Sequence, residues 1–406
     1  MRDVLKRGHL LLLPLISLAG MVAVLPAVPE GPDMAHFALW MDSVRAGGVS
    51  SLSGEFAIYS PTYIYLLYLF SWLVPVVGTG PAIKLISLPF LLLLSVALHG
   101  IVLAATASRT KALAAAALIW VLPTLFINAF YWGQADVIYV SVLAWCTLFA
   151  MKDRPALAAA AFGIALSLKL QAMFLSPMIL YLVLARRMRL RHLLLVPAAY
   201  AAMMVPAMLA GRPVWECLTL YFQQYEFVTT LSANAPNPWR FAKKFIALEW
   251  GIVIGLAAGA AAGLAIALGS LRLRPGPVTI LLVATVSAAA LPYVLPKMHD
   301  RFFFPADVLS LALAFALTRR WLAGALIQLG SLLAYMSYLK VTPLGSVVGV
   351  VPMSFGVGLL ALAFIEAQRG SGTSWRDVLA ALTGKPAPIA LTAASAESRP
   401  TSSDPA

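Results

Sequence analysis

The sequence predicts an all-α polytopic membrane protein. Of its 406 residues, 61% are hydrophobic and only 11% are charged, whereas soluble domains carry roughly 25% charged residues. Apolar runs of about 16–26 residues recur from Leu10 to Phe364, close to the length that crosses a hydrocarbon core of roughly 30 Å. We therefore predict about 12 transmembrane helices in one integral membrane domain, residues 1–368.

The distribution of charge predicts the orientation. The net charge of +13 comes from 29 Lys and Arg against 16 Asp and Glu. These basic residues are scattered between the apolar runs, which argues against a nucleic-acid partner. If every break rich in Lys and Arg lies on one side, 19 of the 29 are cytoplasmic, as the positive-inside rule requires. We predict a multi-pass protein of the inner (plasma) membrane.

The N-terminal segment has three basic residues before an apolar run, as signal peptides and first spans both do. The run reaches about 20 residues, so we expect an uncleaved first helix. Residues 29–81 then form a large first external loop. Within it, the aromatic-rich segment Pro61–Val77 is predicted to be an interfacial helix on the outer surface, because a second crossing would place Arg109 and Lys111 outside.

Three further segments complete the organisation. Residues 211–249 form a second external loop, and residues 369–406, rich in Ala, Ser, Thr and Pro, are predicted to be a disordered cytoplasmic tail. Small residues at every fourth position predict a helix-packing seam, formed by Gly251, Gly255, Gly259 and Gly263.

Ionisable residues collect at the outer helix ends, where charges indicate function. Asp33, His36 and Trp40 share one face of a short helix after the first span. The alternative makes Asp33 a helix cap and the aromatic residues membrane-surface anchors. The segment Trp132–Asp136 places an indole donor, an amide and an acid in one outer turn, with Asp136 as a helix cap as the alternative.

Two basic segments face the same side. Lys169 and Gln171 separate two apolar runs, and the first run is so short, about 20 Å, that Lys169 is expected below the outer surface in a polar cavity. Snorkelling to the interface is the alternative. The segment Lys297–Arg301 offers charge-assisted hydrogen bonds suited to a phosphate, unless it is a solvated hairpin. Ser232–Trp239 alone predicts only a turn-rich loop.

Together these residues predict an outward-facing polar cavity with an acid on one wall and basic groups on another. The sequence has no P-loop, HExxH or GxSxG motif, which argues against ATP hydrolysis and proteolysis by those routes. Its two cysteines, Cys146 and Cys217, have no metal-site spacing, and a disulfide between them is not expected because Cys146 lies inside an apolar run.

At these residues the sequence resembles the GT-C superfamily of glycosyltransferases, in particular bacterial relatives of the GPI second-mannose transferase and glycosyltransferase family 87. The resemblance covers about residues 30–305 and departs from relatives at Ser60, where they have Pro, and at Asp300, where Glu is common. The segments that carry it are Asp33, Tyr59–Tyr63, Trp132–Asp136, Leu168–Gln171, Ala233–Trp239 and Met298–Phe302.

The resemblance implies a GT-C-like fold and transfer of a hexose, with mannose expected, from a polyprenyl-phosphate sugar to a glycan, lipid or protein acceptor at the outer face. It implies that Asp33 is the general base and that Lys169, His299 and Arg301 bind the phosphate of the sugar donor. The expected substrate-binding residues are His36, Tyr63, Trp132, Gln134, Asp136, Gln171, Asn237, Trp239, Lys297 and Asp300.

No cofactor is expected, since basic side chains can stabilise the phosphate. A divalent metal stays open, because Asp33, Asp42 and Asp136 offer oxygen ligands. The alternative function is a secondary transporter or lipid flippase for a polyprenyl-linked or small anionic substrate. Such proteins bind near the bilayer midplane between repeated halves, and the two halves of this sequence do not match. A non-catalytic assembly subunit is the third possibility.

Overall fold

The computed structural model describes residues 2–27, 32–54, 57–226 and 228–383. Helices dominate this part of the chain. The first half contains α1 (Arg2–Val24), α2 (Asp33–Gly47), α3 (Pro61–Ser71), α4 (Val74–Val77), α5 (Thr79–Leu85), α6 (Ser87–Thr106), α7 (Arg109–Leu118), α8 (Pro123–Phe126), α9 (Asp136–Met151), α10 (Pro155–Leu168), α11 (Ser176–Leu184), α12 (Leu190–Leu193) and α13 (Leu195–Leu209).

The second half adds two very short strands to the helices. Its elements are α14 (Val214–Glu226), β1 (Ser232–Ala233), α15 (Trp239–Ala242), α16 (Leu248–Ser270), α17 (Pro277–Val294), β2 (Met298–His299), α18 (Phe304–Ala316), α19 (Trp321–Tyr338), α20 (Gly345–Val348), α21 (Val350–Ser371) and α22 (Trp375–Thr383). Tight turns also occur as 3₁₀ helices at Gly48–Ser53, Ile119–Val121, Leu170–Leu175 and Thr318–Arg320, and as a π-helix at Ile127–Tyr131.

The helices are those of an all-α membrane protein, but fewer have spanning length than the sequence predicts. In the described residues five are long and apolar enough to cross a membrane: Thr79–Thr106, Leu190–Leu209, Leu248–Ser270, Pro277–Val294 and Gly345–Ser371. The pair Arg109–Val121 and Pro123–Tyr131, bent by 45°, raises the number to six if it is one span. Length and composition therefore support about half of the 12 predicted crossings.

Interruptions inside apolar runs explain the difference. Leu122 is extended ahead of Pro123, because a residue before proline avoids the helical region, and this breaks the run between α7 and α8. Lys169 is also extended and separates α10 from the helix that follows. Lys169 thus separates two of the five further apolar helices, which are only 10–17 residues long: His9–Val24, Asp136–Met151, Pro155–Leu168, Leu170–Leu184 and Phe304–Ala316.

The buried core lies around α6, α9, α10, α17 and α18, where α9 packs on both α6 and α10. In α17, 67% of the apolar stretch is buried inside the protein, whereas 11% of the apolar stretch is buried in the span Leu190–Leu209. The segment predicted to be interfacial contains α3, a helix of 11 residues. Ser60 caps it by accepting a hydrogen bond from the Thr62 backbone, and Pro61 occupies the first helical position.

Part of the segment predicted to be disordered is helical. Helix α21 continues to Ser371, and α22 follows at Trp375–Thr383. The Arg272 side chain donates to the Thr373 carbonyl and lies 5.4 Å from the Trp375 ring, so contacts with the bundle hold this helix. The rest of the predicted tail, residues 384–406, lies outside the described residues.

The glycine seam of α16 packs mainly on segments that carry the outer site. A Cβ atom added at Gly251 would lie 2.4 Å from Leu231, and one at Gly255 would lie 2.5 Å from Pro296. Only glycine permits such close approach. The predicted seam thus exists, but its partners include the turns before β1 and β2.

Candidate functional site

A cavity of about 400 Å³ lies where α2, the turn after α10, and the segment Lys297–Phe302 meet. Both charged and apolar side chains line it. Seven of the predicted site residues line it: Asp33, His36, Lys169, Gln171, Lys297, His299 and Arg301.

Asp33 stands at the start of α2 and is held by three side-chain donors. Trp132 Nε1, Gln134 Nε2 and Tyr338 Oη donate to its Oδ2 at 3.2, 2.8 and 3.0 Å. Arg301 Nη1 lies 3.6 Å from the same oxygen. In the described residues Oδ1 receives no hydrogen bond. The carboxylate does not cap its helix, so the alternative of Asp33 as a cap is not realised.

The environment of Asp33 favours its charged form. Burial by itself would raise the pKa of this carboxyl. The positive charge of Arg301 and the hydrogen bond from Tyr338 outweigh burial, and the pKa lies below its ordinary value. Asp33 is therefore a carboxylate at neutral pH with one oxygen fixed and the other available.

Gly133 explains how the turn Trp132–Asp136 reaches Asp33. Its φ of +76° is in the left-handed region that favours glycine, and a Cβ atom there would lie 2.5 Å from the sulfur of Met34, the neighbour of Asp33. This close approach lets both Trp132 and Gln134 donate to one carboxylate oxygen.

Asp136 organises the cations from below the cavity. It is fully buried and pairs with Lys169 Nζ, while Arg301 Nε lies 3.6 Å from its Oδ2. Asn128 Nδ2 donates to Oδ2 at 2.8 Å. Asp136 makes no side-chain cap to α9, and Lys169 turns to this buried partner rather than to the interface. Neither alternative reading is thus realised.

Arg301 lies at the centre of the charged groups of the site. Its guanidinium contacts Asp33 and Asp136, lies 3.7 Å from Asp300 Oδ1, and donates to the Tyr59 hydroxyl at 3.4 Å. It also stands 5.4 Å from the Trp132 ring. Only a planar, multi-donor cation meets so many partners at once.

The two short strands fix the basic segment. Ser232 pairs with Met298 and Ala233 with His299 in parallel register. The Lys297 amide donates to the Leu231 carbonyl at 2.8 Å, and the Asp300 amide donates to the Ala233 carbonyl at 3.1 Å. Residues 231–233 therefore hold the segment Lys297–Arg301 by backbone hydrogen bonds.

His299 does not provide the predicted cation. Burial and the positive charge of Arg301 lower the pKa of its imidazole to about 3. The ring lies on the cavity wall, 5.2 Å from the Phe302 ring. At neutral pH His299 is a neutral hydrogen-bonding group, which leaves phosphate charge to the lysines and Arg301.

Asp300 lies behind Arg301 rather than on the cavity surface. It is fully buried, and in the described residues neither carboxyl oxygen has a hydrogen-bond partner. Burial raises its pKa to about 7, although the positive charge of Arg301 opposes the rise. Direct contact with a substrate, as predicted for Asp300, is thus not supported.

Other predicted substrate contacts also lie below or away from the cavity. Asn237 Nδ2 donates to the Pro292 carbonyl at 3.0 Å, and Trp239 Nε1 donates to the Val294 carbonyl at 2.7 Å. These side chains hold the end of α17, and they do so because that helix end leaves carbonyls without helical partners. Tyr63 is buried in an aromatic cluster, 5.5 Å from the Phe37 ring.

Tyr338 is the main residue that the sequence analysis missed. Its ring lies 4.4 Å from that of Trp132, and its hydroxyl is the third donor to Asp33. A signal existed: Gln328, Ser331, Tyr335 and Tyr338 recur at helical spacing on α19, a polar stripe on an apolar helix. Deeper on this stripe, Ser331 donates to the buried Asp307 at 2.9 Å.

The three carboxylates considered as metal ligands do not form one cluster. In the described part of the chain, no group of three or more His, Cys, Asp or Glu is placed to hold a metal ion. Asp42 is exposed on α2, apart from the cavity that Asp33 lines. The ligand set proposed from the sequence is therefore not assembled.

Comparison with known proteins does not assign the chain to a family. No family model matches the chain, and no curated protein matches it. The function is therefore inferred from the chemistry of the cavity.

Proposed function

We propose that this protein is a GT-C type glycosyltransferase that moves a hexose, with mannose as the expected sugar, from a polyprenyl-phosphate donor to an acceptor at the outer face of the inner membrane. The observation that carries the proposal is the environment of Asp33. Its carboxylate has one oxygen held by three donors, lines a cavity, and lies 3.6 Å from the guanidinium of Arg301.

In this mechanism Asp33 is the general base. As the acceptor oxygen forms a bond to the anomeric carbon of the sugar, its proton passes to Asp33 Oδ1. The bond from that carbon to the phosphate oxygen breaks, and its electron pair remains on the phosphate. A positioned base of this kind contributes about 10²–10⁴-fold.

The cations act on the leaving group. Negative charge develops on the phosphate as the bond breaks, so preorganised positive groups lower the barrier. Lys169, Lys297 and Arg301 all line the cavity, and Asp136 holds Lys169 and Arg301 in place. Stabilisation by these side chains requires no metal ion.

The apolar lining suits a prenyl chain. The apolar lining residues include Ile58, Leu168, Leu170, Val228 and Phe302. A lipid-linked substrate presents an anionic head beside a hydrocarbon chain, and a cavity lined by charged and apolar side chains matches both.

The proposed topology counts 12 crossings. They are the five long helices, the bent pair, the five shorter apolar helices and α19. With this count the basic breaks at 109–111, 152–154, 186–191, 272–274 and 319–320 are cytoplasmic and the cavity faces the periplasm, in agreement with the positive-inside rule.

One observation favours the alternative, a transporter or flippase. Asp307 is fully buried in α18, and its Oδ2 has no hydrogen-bond partner in the described residues. Ionisable groups at membrane depth mark proton and ion routes in transporters.

Turnover in the absence of an ion gradient tests the proposal. Purified protein in detergent receives a panel of polyprenyl-phosphate hexoses with soluble glycan, lipid and peptide acceptors. We expect transfer from at least one donor, lost in Asp33→Asn and kept in Asp42→Asn. Absence of transfer from every donor, together with gradient-driven uptake in vesicles, contradicts the proposal and supports the transporter.

A further inference from the structure

Among the described residues, Arg301 is the residue whose charge stabilises the buried Asp300 carboxylate. Its two oxygens have no hydrogen-bond partner in the described residues, and Arg301 Nη1 is 3.7 Å from Oδ1. Arg301 is shared, because the same nitrogen lies 3.6 Å from Asp33 Oδ2 and its Nε lies 3.6 Å from Asp136 Oδ2. An anion that binds the Arg301 guanidinium therefore competes with Asp300 for it.

The other two carboxylates have partners besides Arg301. Asp33 has three hydrogen-bond donors, and Asp136 has Lys169 and Asn128. Asp300 is the group whose charged form loses its partner when an anion arrives. A buried carboxylate in that position is neutralised by a proton, since burial penalises the charged form.

We propose that a phosphate anion enters this site together with one proton, which Asp300 takes up. This inference rests on the proposed function, since it takes the sugar donor to be a lipid phosphodiester. By linkage, an anion that promotes protonation of Asp300 binds more tightly when Asp300 is already protonated. Affinity for the sugar donor therefore falls as the pH rises through neutral values. Asp300 acts through Arg301 and is a positioning residue.

Two neighbours of Asp300, Asp33 and His299, do not titrate in the same range. The groups that face Asp300 are Arg301 and His299 of its own segment, Asp33 of α2, Asp136 of α9, and Tyr335 and Tyr338 of α19. The pKa of Asp33 is lowered and that of His299 is about 3, whereas burial places the pKa of Asp300 at about 7. Tyrosine ordinarily titrates near pH 10 and arginine above 12.

The probe must not titrate itself. A phosphate monoester loses its second proton near pH 6, which would mask proton uptake by the protein. Farnesyl methyl phosphate is a diester and keeps one negative charge across this range. Its binding is measured from pH 5.5 to 8.5 in nanodiscs of phosphatidylcholine, for the wild type, Asp300→Asn and the exposed control Asp42→Asn.

We expect the wild type and Asp42→Asn to bind tightly at acidic pH and to lose about tenfold in affinity per pH unit above pH 7, the slope for one proton. Asp300→Asn is permanently neutral and should bind tightly at every pH. The pH change on adding the probe to protein in weak buffer should show uptake of one proton on binding at pH 7.5 in the wild type. Asp300→Asn should take up none.

Binding that is independent of pH in the wild type overturns this inference and leaves the proposed function standing. The same holds if Asp300→Asn keeps the slope of the wild type. If the wild type binds no phosphodiester at any pH, both this inference and the proposed function fail. Circular dichroism melting of each variant separates loss of folding from loss of binding.

Discussion

Two carboxyls lie near the same guanidinium nitrogen and have pKa shifts in opposite directions. Asp33, at the start of α2, and Asp300, in the segment Lys297–Arg301, lie 3.6 and 3.7 Å from Arg301 Nη1. The pKa of Asp33 is lowered, and that of Asp300 is raised to about 7. The shared cation cannot explain the difference.

Hydrogen bonding and burial explain it. Asp33 accepts three hydrogen bonds, whereas in the described residues Asp300 accepts none and is fully buried. Hydrogen bonds to the charged form lower a carboxyl pKa, and desolvation raises it. One residue is thereby suited to accept a proton during the reaction and the other to exchange a proton with binding.

The largest effect should come from the carboxyl that is charged. Asp33→Asn removes the proposed base and should lower kcat by about 10²–10⁴-fold. Binding of the sugar donor should change little, because Asn keeps the shape of the side chain. Turnover and donor affinity are measured on the same preparation.

Asp42→Asn is the matched control, since Asp42 is an exposed acid on the same helix. Near-normal turnover in Asp33→Asn would contradict the role of general base. It would also make the two carboxyls functionally alike.

Removal of the shared cation should have the next largest effect. Arg301→Ala should raise the barrier by about 2–4 kcal/mol, as for the loss of a preorganised donor. Arg301→Lys should also be damaging, because lysine keeps the charge but loses the planar fork. kcat/KM against the sugar donor checks this, with Arg240→Lys as a control outside the network. Unchanged kinetics in both Arg301 variants would mean that the phosphate binds elsewhere.

A smaller change should sharpen the contrast between the two carboxyls. Tyr338→Phe removes one of the three donors to Asp33, so the pKa of Asp33 should rise. In the proposed mechanism Asp33 acts as a base only when it is ionised. The acid limb of the plot of kcat against pH should therefore move to higher pH. The loss of one hydrogen bond to a charged group should also lower kcat by about tenfold.

Tyr335→Phe is the control, because in the described residues the Tyr335 hydroxyl has no hydrogen-bond partner. Its acid limb should coincide with that of the wild type. An equal shift in both variants would assign the effect to packing of α19 and not to the Tyr338 hydroxyl.

The smallest effect concerns the support of the segment that carries Asp300. Trp239→Phe removes the hydrogen bond to the Val294 carbonyl and should lower stability by about 1–2 kcal/mol. The melting temperature should fall while turnover stays within a few-fold of the wild type. Trp250→Phe, at a 67% exposed tryptophan, should leave melting unchanged. A large loss of turnover in Trp239→Phe would return Trp239 to the substrate site.

The sequence predicted an all-α membrane protein, because apolar length is a local property. It also placed Asp33, Lys169 and Arg301 in one cavity, and all three line it. It did not predict that Lys169 pairs with Asp136, 33 residues away, because that contact depends on tertiary packing.

Some features of the structure differ from these expectations. His299 was expected to be a cation, but burial beside Arg301 makes it neutral. Asn237 and Trp239 were expected at the substrate, but the end of α17 takes their donors. The interruption at Pro123 also divides a run that composition alone predicts as one span. The contacts of Asn237 and Trp239 join residues 55 positions apart in the chain.

The hydrogen bond between Tyr338 and Asp33 spans 305 positions of the chain. At about 5–20 residues per second, a ribosome needs roughly 15–60 s to make that stretch. During this time the nascent chain has inserted most of its helices while Asp33 still lacks its third donor. An N-terminal fragment that ends before α19 cannot complete the site, so a truncated product should insert into the membrane without gaining activity.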